Sequence, residues 1–185
     1  MSTPADRYAT YEDLCRVPGH LVAQIIHGQL VTLPRPAPKH ARAASIMGGK
    51  LVPTYDEGQN GPGGWWILFE PELHLGLEIP VPDLAGWRRE RMPTLPDTAY
   101  FDLVPDWVCE VLSPSTAQMD RVDKLAIYAT HGVAHVWLLN PDLQTLEILA
   151  LHEDRWRLER AYKSADEVCA PPFEALSFSL ASFWT

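Results

Sequence analysis

Two carboxylates in this sequence stand where strands are expected and where water reaches poorly. Asp83 follows Pro82 within the stretch Pro80–Trp87, and Glu110 lies twenty-seven residues on, near the middle of the apolar run Trp107–Leu112. An unpaired carboxylate inside an apolar strand is costly, so Glu110 requires a cation or a lysine beside it. If the two strands are neighbours in a sheet, Asp83 and Glu110 converge on one divalent cation, with the carbonyl of Val111 as a further hard ligand. Oxygen-only, partly hydrated coordination of this kind suits Mg2+ or Mn2+. Such an ion lowers the pKa of a bound water and offsets charge building up on a phosphate under attack. Zinc is not expected, because the seven histidines are scattered without ligand spacing.

The elements that must hold these groups are short and closely punctuated. Thr10 caps a short helix that Pro18-Gly19 ends, and Leu21–Ile26 and Gln29–Leu33 form a hairpin around His27-Gly28. Lys39–Tyr55 has apolar residues at helical spacing, weakened by Gly48-Gly49. Trp65–Phe69, Pro80–Trp87 and Trp107–Leu112 read as three strands, and the long loop Arg88–Asp102 separates the last two. Ser115 or Thr116 caps the clearest helix, which runs to His131 and ends at Gly132. Its apolar stripe is Val122, Leu125, Ala126 and Ala129, with Asp120, Lys124 and Tyr128 together on another face, where Lys124 can pair with Asp120. Val133–Leu139, Thr145–Leu151 and Trp156–Ala161 continue as strands, and Phe173–Trp184 reads as a terminal edge segment.

The chain of 185 residues, 46% hydrophobic, is one α/β domain spanning 1–185, with a mixed sheet; disorder and coiled coil are excluded. Three widely spaced cysteines make neither a disulfide framework nor a paired metal motif, the opening residues lack the order of a secretory signal, and no apolar run is long enough to cross a bilayer. A cytoplasmic protein without membrane contact is expected. The net charge of −9 argues against coating nucleic acid through the overall field. The sign alternates along the chain: Val31–Tyr55 carries Arg35, Lys39, Arg42 and Lys50 and no acid, whereas Asp56–Trp87 carries six acids and no Lys or Arg, before Arg88, Arg89 and Arg91. Basic segments beside an acidic pocket would produce that pattern.

The block Val104–Thr116, containing Pro105-Asp106-Trp107 and Glu110-Val111-Leu112-Ser113-Pro114, is followed by Asp120-Arg121, Lys124, Tyr128-Ala129, Gly132-Val133 and Val136–Pro141. Together with Pro82-Asp83 upstream, it resembles the large bacterial family of restriction endonucleases of the Uma-two type, within the PD-(D/E)XK nuclease superfamily. The resemblance covers roughly 21–151, leaving 152–185 as a C-terminal extension. It implies a restriction-endonuclease-like core of helix, three strands, helix and strand, the order already read, with flanking hairpins. It also implies a metal-dependent endonuclease acting on DNA, with Asp83 and Glu110 as the paired acids that hold Mg2+ or Mn2+. The superfamily lysine would fall at Leu112; in the family it is thought to have moved to the following helix, here Lys124. Lys39, Arg42, Arg88, Arg89 and Arg91 would contact phosphates, and His40 and Glu70 form a second tier, His40 at a position where the family tends to have histidine. A homodimer would let two sites cut two strands. Family members usually carry acids around the hairpin glycine, where this chain has Gln24, His27 and Gln29. The alternative is therefore a nuclease fold retained as a binding or assembly module.

Overall fold

A computed structural model describes residues 8–184. Most of the opening stretch judged to lack a secretory signal, residues 1–7, lies outside the described residues. Thr10 caps α1 (Tyr11–Cys15) in a reciprocal capping box with Asp13. The hairpin β1 (Val22–Ile26) and β2 (Gln29–Leu33) turns at His27 and Gly28, both at positive φ (51° and 72°), as a two-residue turn of primed type requires. Next comes α2 (Pro38–Leu51), continued by one wide π-turn over Val52–Asp56. The paired glycines do not interrupt α2, because Gly48 makes room for a ring: a Cβ there would lie 1.9 Å from Cζ of Phe69.

The central sheet has six strands in sequential order, β3 (Trp65–Phe69), β4 (Leu84–Arg88), β5 (Trp107–Val111), β6 (His135–Asn140), β7 (Thr145–His152) and β8 (Arg155–Lys163). All neighbours are antiparallel except β5 and β6, which run parallel and therefore need a crossover. That crossover is the helix after β5, a π-helical stretch over Met119–Lys124 leading into α3 (Leu125–Thr130), closed by Gly132 at φ 77°. The order helix, three strands, helix, strand is thus present as α2, β3–β5, the crossover helix and β6.

Two expectations are corrected here. Pro82-Asp83 is not within a strand: β4 begins at Leu84, because Pro80 and Pro82 each remove a ladder donor. The crossover helix also faces the other way from its apolar stripe. Val122 is 60% exposed, and Asp120, Lys124 and Tyr128 are buried together with Ile127. Polar groups face inward because the sheet presents Glu110 to them.

Strand β5 is buried along its whole length, and its alternation divides the core. Trp107, Cys109 and Val111 enter the layer under α2 with Met47, Leu51, Trp137 and Phe173. Val108 and Leu112 enter the layer under α3 with Trp87, Tyr128, Val136 and Leu138. Glu110 shares this second parity. The C-terminal residues are core rather than an edge strand: β9 (Glu167–Val168), β10 (Phe178–Ser179) and the helical turn α4 (Ala181–Trp184) bring Val168, Phe178, Leu180 and Phe183 into the α2 layer. Phe173 wedges among Tyr55, Trp65, Trp107 and Trp137, with ring centroids 4.6–5.5 Å apart.

Candidate functional site

The sheet leaves a cleft where β4 begins and β5 ends, flanked by the start of α2 and by the crossover helix. Leu84 pairs with Cys109, so Asp83 and Glu110 are carried to the same end of adjacent strands. Asp83 is fixed by its backbone neighbour, since the Val111 N–H donates to Oδ2 at 2.7 Å. His40, in the first turn of α2, brings Nε2 to 3.3 Å from Asp83 Oδ1, while its Nδ1 is buried without a partner. Glu110 is held from the helix: the Tyr128 hydroxyl donates to Oε1 at 2.6 Å and Lys124 Nζ to Oε2 at 3.2 Å. Lys124 Nζ also lies 3.2 Å from Asp120 Oδ1 and 3.4 Å from the Val81 carbonyl oxygen. The wide π-turn at Met119–Lys124 sits where these side chains must line up, a common place for such a bulge.

The charges do not balance. Three carboxylates, Asp83, Glu110 and Asp120, face one ammonium and one imidazole. Burial pushes the Glu110 carboxyl up to about 8; Lys124 opposes the rise, and Asp120 and Asp83 add to it. Burial raises Asp120 as well, against the pull of Lys124. For Lys124 burial works against the charge, yet Glu110, Asp120 and Asp83 outweigh it and hold the ammonium proton above its ordinary range. His40 behaves similarly, with burial lowering it and the bond to Asp83 raising it to a net upward shift. A site whose carboxylates hold protons because they are buried beside too little positive charge fits an added cation. Its carboxylate donors are hard oxygens, the preference of Mg2+ or Mn2+. Among the described residues no three His, Cys, Asp or Glu groups cluster closely enough to hold an ion alone. An ion here would take Asp83 and Glu110 and complete its shell with water.

Both acids and Lys124 line a cavity of about 380 Å³ that also touches Glu70, at its mouth, where it stands 3.6 Å from Arg35. Of the basic residues expected to meet phosphates, Lys39 and Arg42 lie on α2 beside His40, Lys39 3.6 Å from Asp142 and Arg42 donating to the Ser182 carbonyl. Arg88, Arg89 and Arg91 are not near this cavity: Arg88 is at the far end of β4, about 16 Å from Asp83 at strand rise. There Arg89 pairs with Asp56 and stacks 3.8 Å over Trp66, Arg91 pairs with Asp106 at 2.9 Å, and Arg88 lies 4.6 Å over Trp65. Their contacts are with the opposite end of the β3–β4–β5 ribbon. The sequence marks Gln24 only as a departure from the family's acids and Arg35 only as part of a basic stretch; the structure brings both to the cavity, with Gln24 Oε1 accepting from the Val81 N–H at 2.8 Å. Sequence reasoning grouped Asp120 and Tyr128 with Lys124 but gave them no part in the site; the signal was three polar residues at i, i+4 and i+8 beside a buried glutamate.

The model of a family described as "Putative restriction endonuclease" (Uma2) matches residues 8–181, which takes in most of the C-terminal segment. Among solved structures the chain is similar to a protein from Anabaena variabilis described as a "putative nuclease belonging to DUF820". The two share 22% identity at a TM-score of 0.75, over 95% of this chain and 97% of that one, a likeness of fold. No curated protein matches the chain.

Proposed function

The chain belongs to the Uma2 family, described as "Putative restriction endonuclease", and from that premise we propose that the cleft between β4, β5 and the crossover helix hydrolyses phosphodiester bonds of DNA with Mg2+ or Mn2+. One observation carries the reading. Lys124 reaches from the helix to within 3.2 Å of Glu110, in the same cavity as Asp83 and in excess carboxylate charge. Lys124 keeps its proton, so it acts as a fixed positive charge that orients the attacking water and offsets charge on the phosphate oxygens, not as a base. Tyr128 and the Val111 N–H hold the two acids in single orientations, which removes reorganisation from the reaction. A divalent cation held by Asp83 and Glu110 supplies a more acidic water and neutralises phosphate charge when bound. Water attacks phosphorus and gives up a proton to solvent, the bond from phosphorus to the 3′ oxygen breaks, and that oxygen takes up a proton from solvent.

A second reading, a nuclease-fold binding module without cleavage, is favoured by Gln24. This neutral amide is 1% exposed and lines the cavity beside the acids. The test is cleavage of supercoiled plasmid and single-stranded DNA with Mg2+ or Mn2+ by the wild type and by Asp83→Ala, Glu110→Ala and Lys124→Ala, with folding checked by circular dichroism. Cutting by the wild type and its loss in all three folded variants is the expected result. Equal cutting by the variants removes the catalytic assignment, and no cutting by the wild type moves the binding module ahead.

A further inference from the structure

Glu110 and Lys124 are 1% and 3% exposed, so a reacting phosphate has to travel inward to meet them. Productive attack needs the water that Lys124 orients and the phosphorus about 3–3.5 Å apart, so the phosphate has to come close to these buried groups. The approach is the cavity of about 380 Å³, near the small end of the range of about 300–1,000 Å³ typical of ligand pockets. That is room for one nucleotide, not for a stretch of duplex.

The cavity is enclosed by a wall that is fastened in place. The β1–β2 hairpin and the segment after it form one side, with Val22, Leu33, Pro34 and Pro36 facing inward, and Pro114 faces them from the turn after β5. Ile25 and Ile79 exchange both backbone hydrogen bonds at 3.0 and 2.8 Å, Gln24 receives the Val81 N–H, and the His27 N–H donates to Glu78 Oε2 at 2.6 Å. The hairpin is therefore held along β1 and at its turn.

In a duplex each base is stacked and paired, so it offers these apolar walls no face, and its backbone is carried on a stiff rod. An unpaired nucleotide has a free planar base to lay against proline and aliphatic side chains, and a flexible backbone that lets its phosphate descend. Arg35 stands at the mouth, more than half exposed, donating to the Gly19 carbonyl at 2.9 Å and lying 3.6 Å from Glu70, with its remaining donors open to the phosphate of the adjoining nucleotide.

We propose that this site takes unpaired DNA, a single strand, flap or bulge, seating one base against the proline-lined wall with its phosphate at Glu110 and Lys124. The proposal rests on the nuclease reading above. It is tested with three end-labelled oligonucleotides of one sequence, a single strand, a perfect duplex and a duplex with a three-nucleotide bulge, each incubated with protein and Mn2+, with Glu110→Ala as control. The single strand and the bulge are expected to be cut at least ~100-fold faster than the perfect duplex, the scale set by the cost of unstacking and unpairing a base. A perfect duplex cut as fast as the others overturns the inference and leaves the nuclease reading intact. If none of the three is cut, the nuclease reading falls and the inference with it. Pro34→Trp, which narrows the mouth, is expected to slow single-strand cutting at least ~10-fold with Mn2+ binding retained; unchanged cutting overturns the assigned base seat.

Discussion

The two ends of the β3–β4–β5 ribbon carry similar residues and use them differently. At one end Asp83, Glu110 and Asp120 share Lys124 and His40 beside a cavity of about 380 Å³. At the other, Arg88, Arg89 and Glu90 line a second cavity of about 470 Å³ with Trp65 and Glu174. Size does not separate them. At the far end two of the arginines are matched to carboxylates and two lie over indole rings, and none is deeply buried. At the near end the charges are buried and unequal, which raises Glu110 to about 8. Charge withdrawn from water and left unbalanced marks a place built for something else to bind; matched charge at a half-exposed edge marks a fastening.

The comparison breaks most easily at Lys124. Lys124→Ala leaves two buried carboxylates without their common cation, so we expect a loss of about 3–5 kcal/mol in stability. Cleavage should fall by about 10²–10³-fold or more. Denaturant unfolding and plasmid assays read the two effects; a variant that keeps wild-type stability would mean that the pairing is not what holds Glu110. The counterpart at the far end is Arg89→Ala. Losing the Asp56 pair and the Trp66 stack should cost about 1–2 kcal/mol, with cleavage within about twofold of wild type, since no reacting group is touched. A large loss of cleavage there would restore the arginines to the DNA surface.

This asymmetry also explains what was legible in the sequence. Glu110 could be found because an acid inside an apolar strand is expensive, and Asp83 because it follows Pro82 immediately before a strand that does pair with the strand of Glu110. The core order could be read from short apolar runs of strand length and one helix with caps. The helix face could not, because periodicity reports apolar residues and assumes that they point inward. Here the sheet presents a glutamate, so Asp120, Lys124 and Tyr128 turn toward it and Val122 is left to water. The contacts of Arg89 and Arg91 were illegible for a related reason: a cluster of charge in sequence carries no sign of its partners, and Asp56 and Asp106 lie 33 and 15 residues away. The C-terminal segment was missed because Phe173 earns its place through contacts with four rings spread over the chain.

A gentler way to sharpen the comparison is pH. Glu110 rises from 4.5 to about 8, so the folded state binds its proton more tightly than the unfolded chain. Its contribution to stability is full below about pH 4.5 and is lost as pH rises through about 8. His40, also raised, acts in the same direction above its ordinary value of 6.5. Without divalent ions the melting temperature should therefore fall between pH 5 and pH 9, less so with Mg2+ and less so in Glu110→Gln. An equal decline in Glu110→Gln would assign the pH dependence to the overall negative charge instead.

The narrowest test lies at Tyr128, whose hydroxyl donates to Glu110. Tyr128→Phe keeps the ring in the α3 layer and removes one hydrogen bond to a charged group, worth about 1.5–3 kcal/mol at most. Because the bond favours ionised Glu110, its loss should raise the Glu110 pKa further and move the acid limb of the pH–rate profile upward. At saturating metal and high pH the variant should approach wild-type rates, whereas Lys124→Ala should not. A rate deficit in Tyr128→Phe that stays constant across pH would show that the hydroxyl acts on the reaction directly rather than by positioning Glu110.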